Sequence, residues 1–133
     1  VGDARGYPQI PTESFDVAVS FGVFTHFDSI DEVRTALEEL VRVTRPGGRI
    51  MVGRMNSSEV FEAVGEKTIR ARYAPYVAQQ LRVDSETFWR GEAERLGVEL
   101  LDARAMCDLY DLARAKDLVV GRLQHCAYFR KPK

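Results

Sequence analysis

The sequence predicts an α/β fold, a partial doubly wound and mostly parallel sheet carrying a helical insertion. Two observations carry this. Residues 14–21 (Ser-Phe-Asp-Val-Ala-Val-Ser-Phe) form a short, nearly continuous apolar run, the pattern of a strand covered on both faces. A capped amphipathic helix, a Pro-Gly-Gly stop and a second apolar strand then follow in immediate succession. Strand, helix and strand in that order form a βαβ unit, which implies a parallel pair with a right-handed crossover.

Each element has its local reason. Ser29-Ile-Asp-Glu32 matches a capping box, in which the Ser hydroxyl and the Glu carboxylate satisfy reciprocal backbone donors. Ile30, Val33, Leu37, Leu40 and Val41 then share one helical face. Arg42 and Arg45 lie near the negative end of that helix, and Pro46-Gly47-Gly48 stops it. The second strand is expected from Arg49 to Met55. Residues 57–82 are richer in charge and read as an inserted helical cover, with Ser57 and Ser58 as caps and a break at Tyr73-Ala-Pro75-Tyr76. Asp84-Ser85 caps a helix bearing Phe88, Trp89 and Leu96, which Gly97 ends. Strands are expected at Val98–Met106 and Arg122–Lys131, with a helix or loop excursion over 107–121; an antiparallel pairing of these two would make the sheet mixed.

The chain has 133 residues, the size of one domain, with 45% hydrophobic and 29% charged residues, which excludes a disordered tail. The 19 Lys+Arg against 20 Asp+Glu lack the basic excess of a nucleic-acid or anionic-membrane binder. Without a signal peptide or a membrane-length apolar run, a cytoplasmic location is expected. Cys107 and Cys126 suggest neither a disulfide framework nor a metal site.

Gly2-Asp3-Ala4, the Pro-containing loop, residues 14–26 up to Thr25-His26, and Arg42-Val-Thr-Arg-Pro-Gly-Gly-Arg-Ile-Met-Val52 together resemble class I S-adenosylmethionine-dependent methyltransferases, in that family's order. The resemblance is sharp over residues 2–55 and looser beyond. It implies a Rossmann-like fold, S-adenosylmethionine as cofactor and a small-molecule methyl acceptor. It also implies that Asp3 accepts a hydrogen bond from the adenine amino group and that the Ala4 backbone meets the ring. Ser20, Phe21, Gly22 and Val23 would then lie near the cofactor at the strand's carboxyl end, where ligands of open parallel sheets bind. The family's glycine-rich turn and its ribose-binding acid would lie upstream of Val1, so this chain is expected to carry about half a cofactor site. The alternative is a non-catalytic fragment or interaction subunit with an incomplete site.

On the acceptor side, His26 reads either as a general base or acceptor-orienting group, or as a histidine bonded to its own loop or covering the adenine. Arg54 and Asn56 end the second strand; Asn56 either bonds the substrate or caps the next segment. Tyr73 and Tyr76 line an acceptor pocket or simply pack. His125 and both cysteines read as structural. Finally, Phe15–Phe21 lacks a partner on one side, and Asp16 is its only charge. A homodimer through that edge, or through the sheet face beside it, is therefore expected.

Overall fold

The computed structural model describes residues 2–72, 75–106 and 123–133. The expected excursion over 107–121 lies outside them, as do Tyr73 and Cys107. Along the chain come β1 (Phe15–Phe21), a 3-10 turn (Phe24–His26), α1 (Ile30–Val43), β2 (Thr44–Ser57), α2 (Ser58–Val64) and α3 (Glu66–Arg72). A second 3-10 turn (Pro75–Gln79), β3 (Arg82–Val83), α4 (Thr87–Leu96), β4 (Glu99–Ala105) and β5 (Gln124–Arg130) complete it.

The first half forms the expected βαβ unit. β1 runs parallel to β2, with Val17 to Phe21 opposite Arg49 to Gly53. Ser29 caps α1, its Oγ accepting from the Glu32 amide at 3.3 Å. The Glu32 carboxylate takes the Asp28 N–H at 2.7 Å, one residue upstream of the donor that a reciprocal box predicts. α1 ends at Val43, earlier than a stop at Pro46-Gly47-Gly48 implies. Two effects end it there. Arg45 precedes a proline and is driven out of the helical region, and the Thr44 hydroxyl donates to the Leu40 carbonyl at 2.6 Å. Arg45 consequently sits beyond the helix, and only Arg42 lies in its last turn.

The sheet order is β1-β2-β5-β4, with β3 added parallel to the end of β2. β5 is antiparallel to both β2 and β4, so the sheet is mixed. Two helices cover one face. α1 contributes Val33, Ala36, Leu37, Leu40 and Val43, and α4 contributes Trp89 and Ala93, packed against Ala18, Ile50, Val52, Ala127 and Phe129. The helices are joined at their outer sides by ion pairs. Arg34 and Arg95 both hold Glu92, which is only 4% exposed, and Arg95 also reaches Glu38. Buried carboxylates persist when paired in this way. A satellite cluster of Phe61, Ile69 and Leu123 anchors α2 and α3.

The Pro-Gly-Gly turn is locked from two sides. The Gly47 amide donates to the Lys131 carbonyl, and the Lys131 amide to the Gly48 carbonyl. A Cβ at Gly48 would stand 2.6 Å from Thr44 Cγ2 and 2.8 Å from two backbone oxygens, Arg45 O and Asp16 O. Gly48→Ala is therefore expected to destabilise the fold by about 1–3 kcal/mol, the range for overpacking. Urea denaturation beside Gly6→Ala, where a Cβ meets nothing within 4 Å, measures it; equal midpoints would show that the turn yields freely.

Candidate functional site

The carboxyl ends of β1 and β2 lie side by side, tied by the Gly22 amide donating to Gly53 O at 3.0 Å. Gly22 leaves β1 at φ +72, a left-handed turn that favours glycine. The turn leaves Phe21 46% and Val23 37% exposed around it, while Phe24 and Thr25 are buried below. Beside it β2 carries a bulge between Val52 and Met55, and Arg54 adopts φ +58. A non-glycine residue in that region stores strain, and a bulge re-aims its side chain. The Arg54 guanidinium turns back over the Phe21 ring at 5.9 Å and donates from Nε to Gln124 Oε1 at 3.1 Å.

His26 is exposed on the turn after β1. It faces a shallow cavity of about 210 Å³ whose walls include Thr25, Asp28, Tyr76, Gln79 and Gln80. The Leu81 amide, donating to Thr25 O at 3.1 Å, clips the 75–81 segment against this turn. The structure thus brings together His26 and Tyr76, 50 residues apart in sequence. Tyr73 lies outside the described residues.

Asn56 behaves differently from an acceptor-binding residue. It is 1% exposed, and its amide donates to Gln80 Oε1 and Leu81 O while its Oδ1 accepts from Gln124 Nε2. It fastens the strand end to the segment that returns to β3, rather than facing a ligand. Ser57, expected as a helix cap, sits at the cap position of α2 without a capping bond. Its Oγ instead lies 2.7 Å from His125 Nδ1.

The Ser57–His125 pair invites a nucleophilic reading that its tautomer rules out. Trp89 Nε1–H can only donate, and it bonds His125 Nε2 at 2.6 Å. Nε2 is therefore the acceptor, and Nδ1 carries the proton toward Ser57. A ring that donates to the hydroxyl cannot take its proton. Burial also pushes the His125 pKa down to about 4, the nearby Glu59 and Asp84 opposing that shift.

At the amino end of the chain, Asp3 is already occupied. Its carboxylate accepts from the Arg5 backbone amide, Nε and Nη2, and Arg5 Nη1 reaches on to Glu32. These side-chain bonds hold its pKa down at about 2. Residues 2–13 are fastened along α1, where Glu39 receives the Tyr7 amide and Arg42 bonds Thr12 and Tyr7 O. The segment ends at Glu13, φ +58, whose amide bonds Arg42 O.

Among the described residues no group of three or more His, Cys, Asp or Glu could hold a metal ion, and no helix is long and apolar enough to cross a membrane. Residues 1–52 match the family model described as a methyltransferase domain. The similar solved structures include a chain of the Haloferax volcanii complex containing the Trm112 methyltransferase activator, with TM-score 0.67, 16% identity, and 99% of this chain aligned to 60% of that one. The fold is that of the class I methyltransferases. The N-methyltransferase NodS from Bradyrhizobium japonicum aligns to 99% of the chain at 20% identity and TM-score 0.56, with 58% of its own length covered. The [4+2]-cyclase SpnF aligns to 98% at 18% identity and TM-score 0.58, with 54% covered. The chain thus spans little more than half the length of these methyltransferase-fold structures. No curated protein matches it in sequence.

Proposed function

We propose that the chain carries part of a site for S-adenosylmethionine-dependent methyl transfer to a small polar acceptor. The observation that supports this most is the carboxyl end of β1. It falls within the segment matching the methyltransferase family model, and it is open to a ligand around Gly22. The backbone of Ser20–Val23 holds the amino-acid portion of the cofactor, and Asp3 and Ala4 receive its adenine. S-adenosylmethionine, when bound, supplies an electrophilic methyl group on a sulfonium. The chain's own residues bind and orient. His26, in a cavity whose walls include hydroxyl, amide and carboxylate groups, positions the acceptor and takes up its proton at the imidazole. Arg54, at the adjoining strand end, lies within the same region.

A second reading, a non-catalytic subunit, is favoured by the Arg5 grip on Asp3, which competes with the adenine amino group for the carboxylate. Titration of the 133-residue chain with S-adenosylhomocysteine, followed by amide NMR shifts, separates the two. The methyl-transfer reading predicts shifts at Ala4 and Phe21–Val23 with a dissociation constant no tighter than about 1 mM, as befits part of a site. Asp3→Ala is expected to weaken this about tenfold, the scale of one lost hydrogen bond. Absence of shifts around Gly22 at saturating ligand leaves the subunit reading standing. Micromolar affinity would instead show that residues 1–133 hold a sufficient site.

A further inference from the structure

Three side-chain amides form a row that ends at the cavity beside His26. Arg54 Nε donates to Gln124 Oε1 at 3.1 Å, Gln124 Nε2 to Asn56 Oδ1 at 3.3 Å, and Asn56 Nδ2 to Gln80 Oε1 at 3.2 Å. Asn56 Nδ2 also donates to the Leu81 carbonyl at 3.3 Å. A side-chain amide can be turned end for end, so its direction must come from neighbours that cannot. Both ends of this row are such neighbours, because a guanidinium only donates and a backbone carbonyl only accepts. Arg54 turns the Gln124 oxygen toward itself and so turns the Gln124 NH2 toward Asn56. Leu81 independently turns the Asn56 NH2 toward the 80–81 backbone. The two constraints agree. Asn56 is 1% exposed and Gln124 7%, so neither amide can trade these partners for water.

The last amide inherits the direction. Gln80 gives its oxygen to Asn56, which leaves its NH2 for the cavity it lines with His26, Asp28 and Tyr76. Among the described residues the one buried side-chain polar atom without a partner is Ser20 Oγ, so the Gln80 NH2, which no group there accepts, is open. We infer that Gln80 is the binding residue that selects the methyl acceptor, and that the molecule it selects offers an uncharged carbonyl oxygen. This inference rests on reading the cavity as the acceptor site. A donor fixed in direction rejects a ligand that brings it no acceptor atom, because its N–H then loses water and gains nothing. Asp28 in the same wall favours an uncharged oxygen over a carboxylate, since like charges in so small a cavity repel. His26 then faces the N–H or O–H of the bound molecule.

The test is an amide NMR titration of the 133-residue chain and of Gln80→Glu, with benzamide and with benzylamine. Benzamide carries a neutral carbonyl oxygen, and benzylamine replaces it with a cation. Benzamide is expected to shift His26, Gln79 and Gln80 in the unsubstituted chain. Gln80→Glu keeps an oxygen for Asn56 and sets a second oxygen where the donor stood, so urea denaturation should give an unchanged midpoint. It should weaken benzamide and strengthen benzylamine, moving the ratio of their dissociation constants at least about tenfold, the scale of one hydrogen bond. A lowered midpoint would mean that the row runs the other way, and overturns the proposal. So does a variant in which both probes change alike, or the absence of benzamide shifts at about 50 mM, a weak limit even for so small a ligand. Failure of the methyl-transfer reading shows separately, as absent shifts around Gly22 with S-adenosylhomocysteine.

Discussion

Trp89→Ala is expected to lower the unfolding free energy by about 3–5 kcal/mol. Trp89 is fully buried and makes edge contacts with Phe88, Phe129 and His125, at ring separations of 4.9, 6.0 and 6.0 Å. It is the side chain through which α4 grips β5. Truncation opens a cavity between helix and sheet, and it also strands His125 Nε2 without its donor. Trp89→Phe separates these two effects. It keeps an aromatic ring in the site while removing the N–H and part of the indole, so it should cost about 1–3 kcal/mol, the scale of one unsatisfied buried group. Urea denaturation of both variants measures them. Equal losses would mean that the ring kept in Trp89→Phe contributes nothing beyond the hydrogen bond.

Acid should weaken the fold before its carboxylates begin to titrate. His125 is 1% exposed and held neutral, with a folded pKa of about 4 against an ordinary value of 6.5. Above 6.5 both the folded and unfolded chains carry a neutral ring, and the full stability is present. As pH falls from 6.5 toward 4, the unfolded chain binds a proton that the folded chain refuses. Stability therefore declines by up to about 1.4 kcal/mol per pH unit, and by about 3 kcal/mol in all. Asp84, whose pKa is lowered chiefly by the Thr87 amide, loses its contribution only at lower pH, below the ordinary carboxylate value. Denaturation curves at pH 7, 5.5 and 4.5 would record the slope, and His125→Asn should flatten it. An unchanged slope in that variant would sink the assignment to this ring.

The parts of this fold legible in the sequence are those fixed by neighbours in the chain. β1 follows from an apolar run, α1 from Ser29 and a helical stripe, and the end of α4 from Gly97, which adopts φ +65. The parts that were not legible depend on pairs far apart. Ser57 looks like a cap until β5 brings His125 beside it, 68 residues later. Asn56 looks free until Gln124 and Gln80 take its amide from opposite directions. The bulge that turns Arg54 into the left-handed region comes from the mismatch between β2 and β5, which neither strand announces alone. For the candidate site, His26 and Tyr76 could each be named from sequence, but their shared cavity depends on the Leu81–Thr25 bond. Asp3 could be named too, whereas its capture by Arg5 depends on how residues 3–6 turn.

The two ends of the helical segment between β2 and β3 are neighbours. Asn56 is registered beside Arg82 and Ser57 beside Val83, so the chain leaves the sheet and returns to it one strand spacing away, about 5 Å. Closing a loop costs only about 0.6 kcal/mol more for each doubling of its length. The stretch between those ends can therefore lengthen or shorten at little entropic cost, provided Gln80 and Leu81 still reach the Asn56 amide. One wall of the cavity beside His26 is made by this segment, and the other by the turn after β1. A lineage could thus change what the cavity admits by altering one stretch of chain while keeping those few contacts.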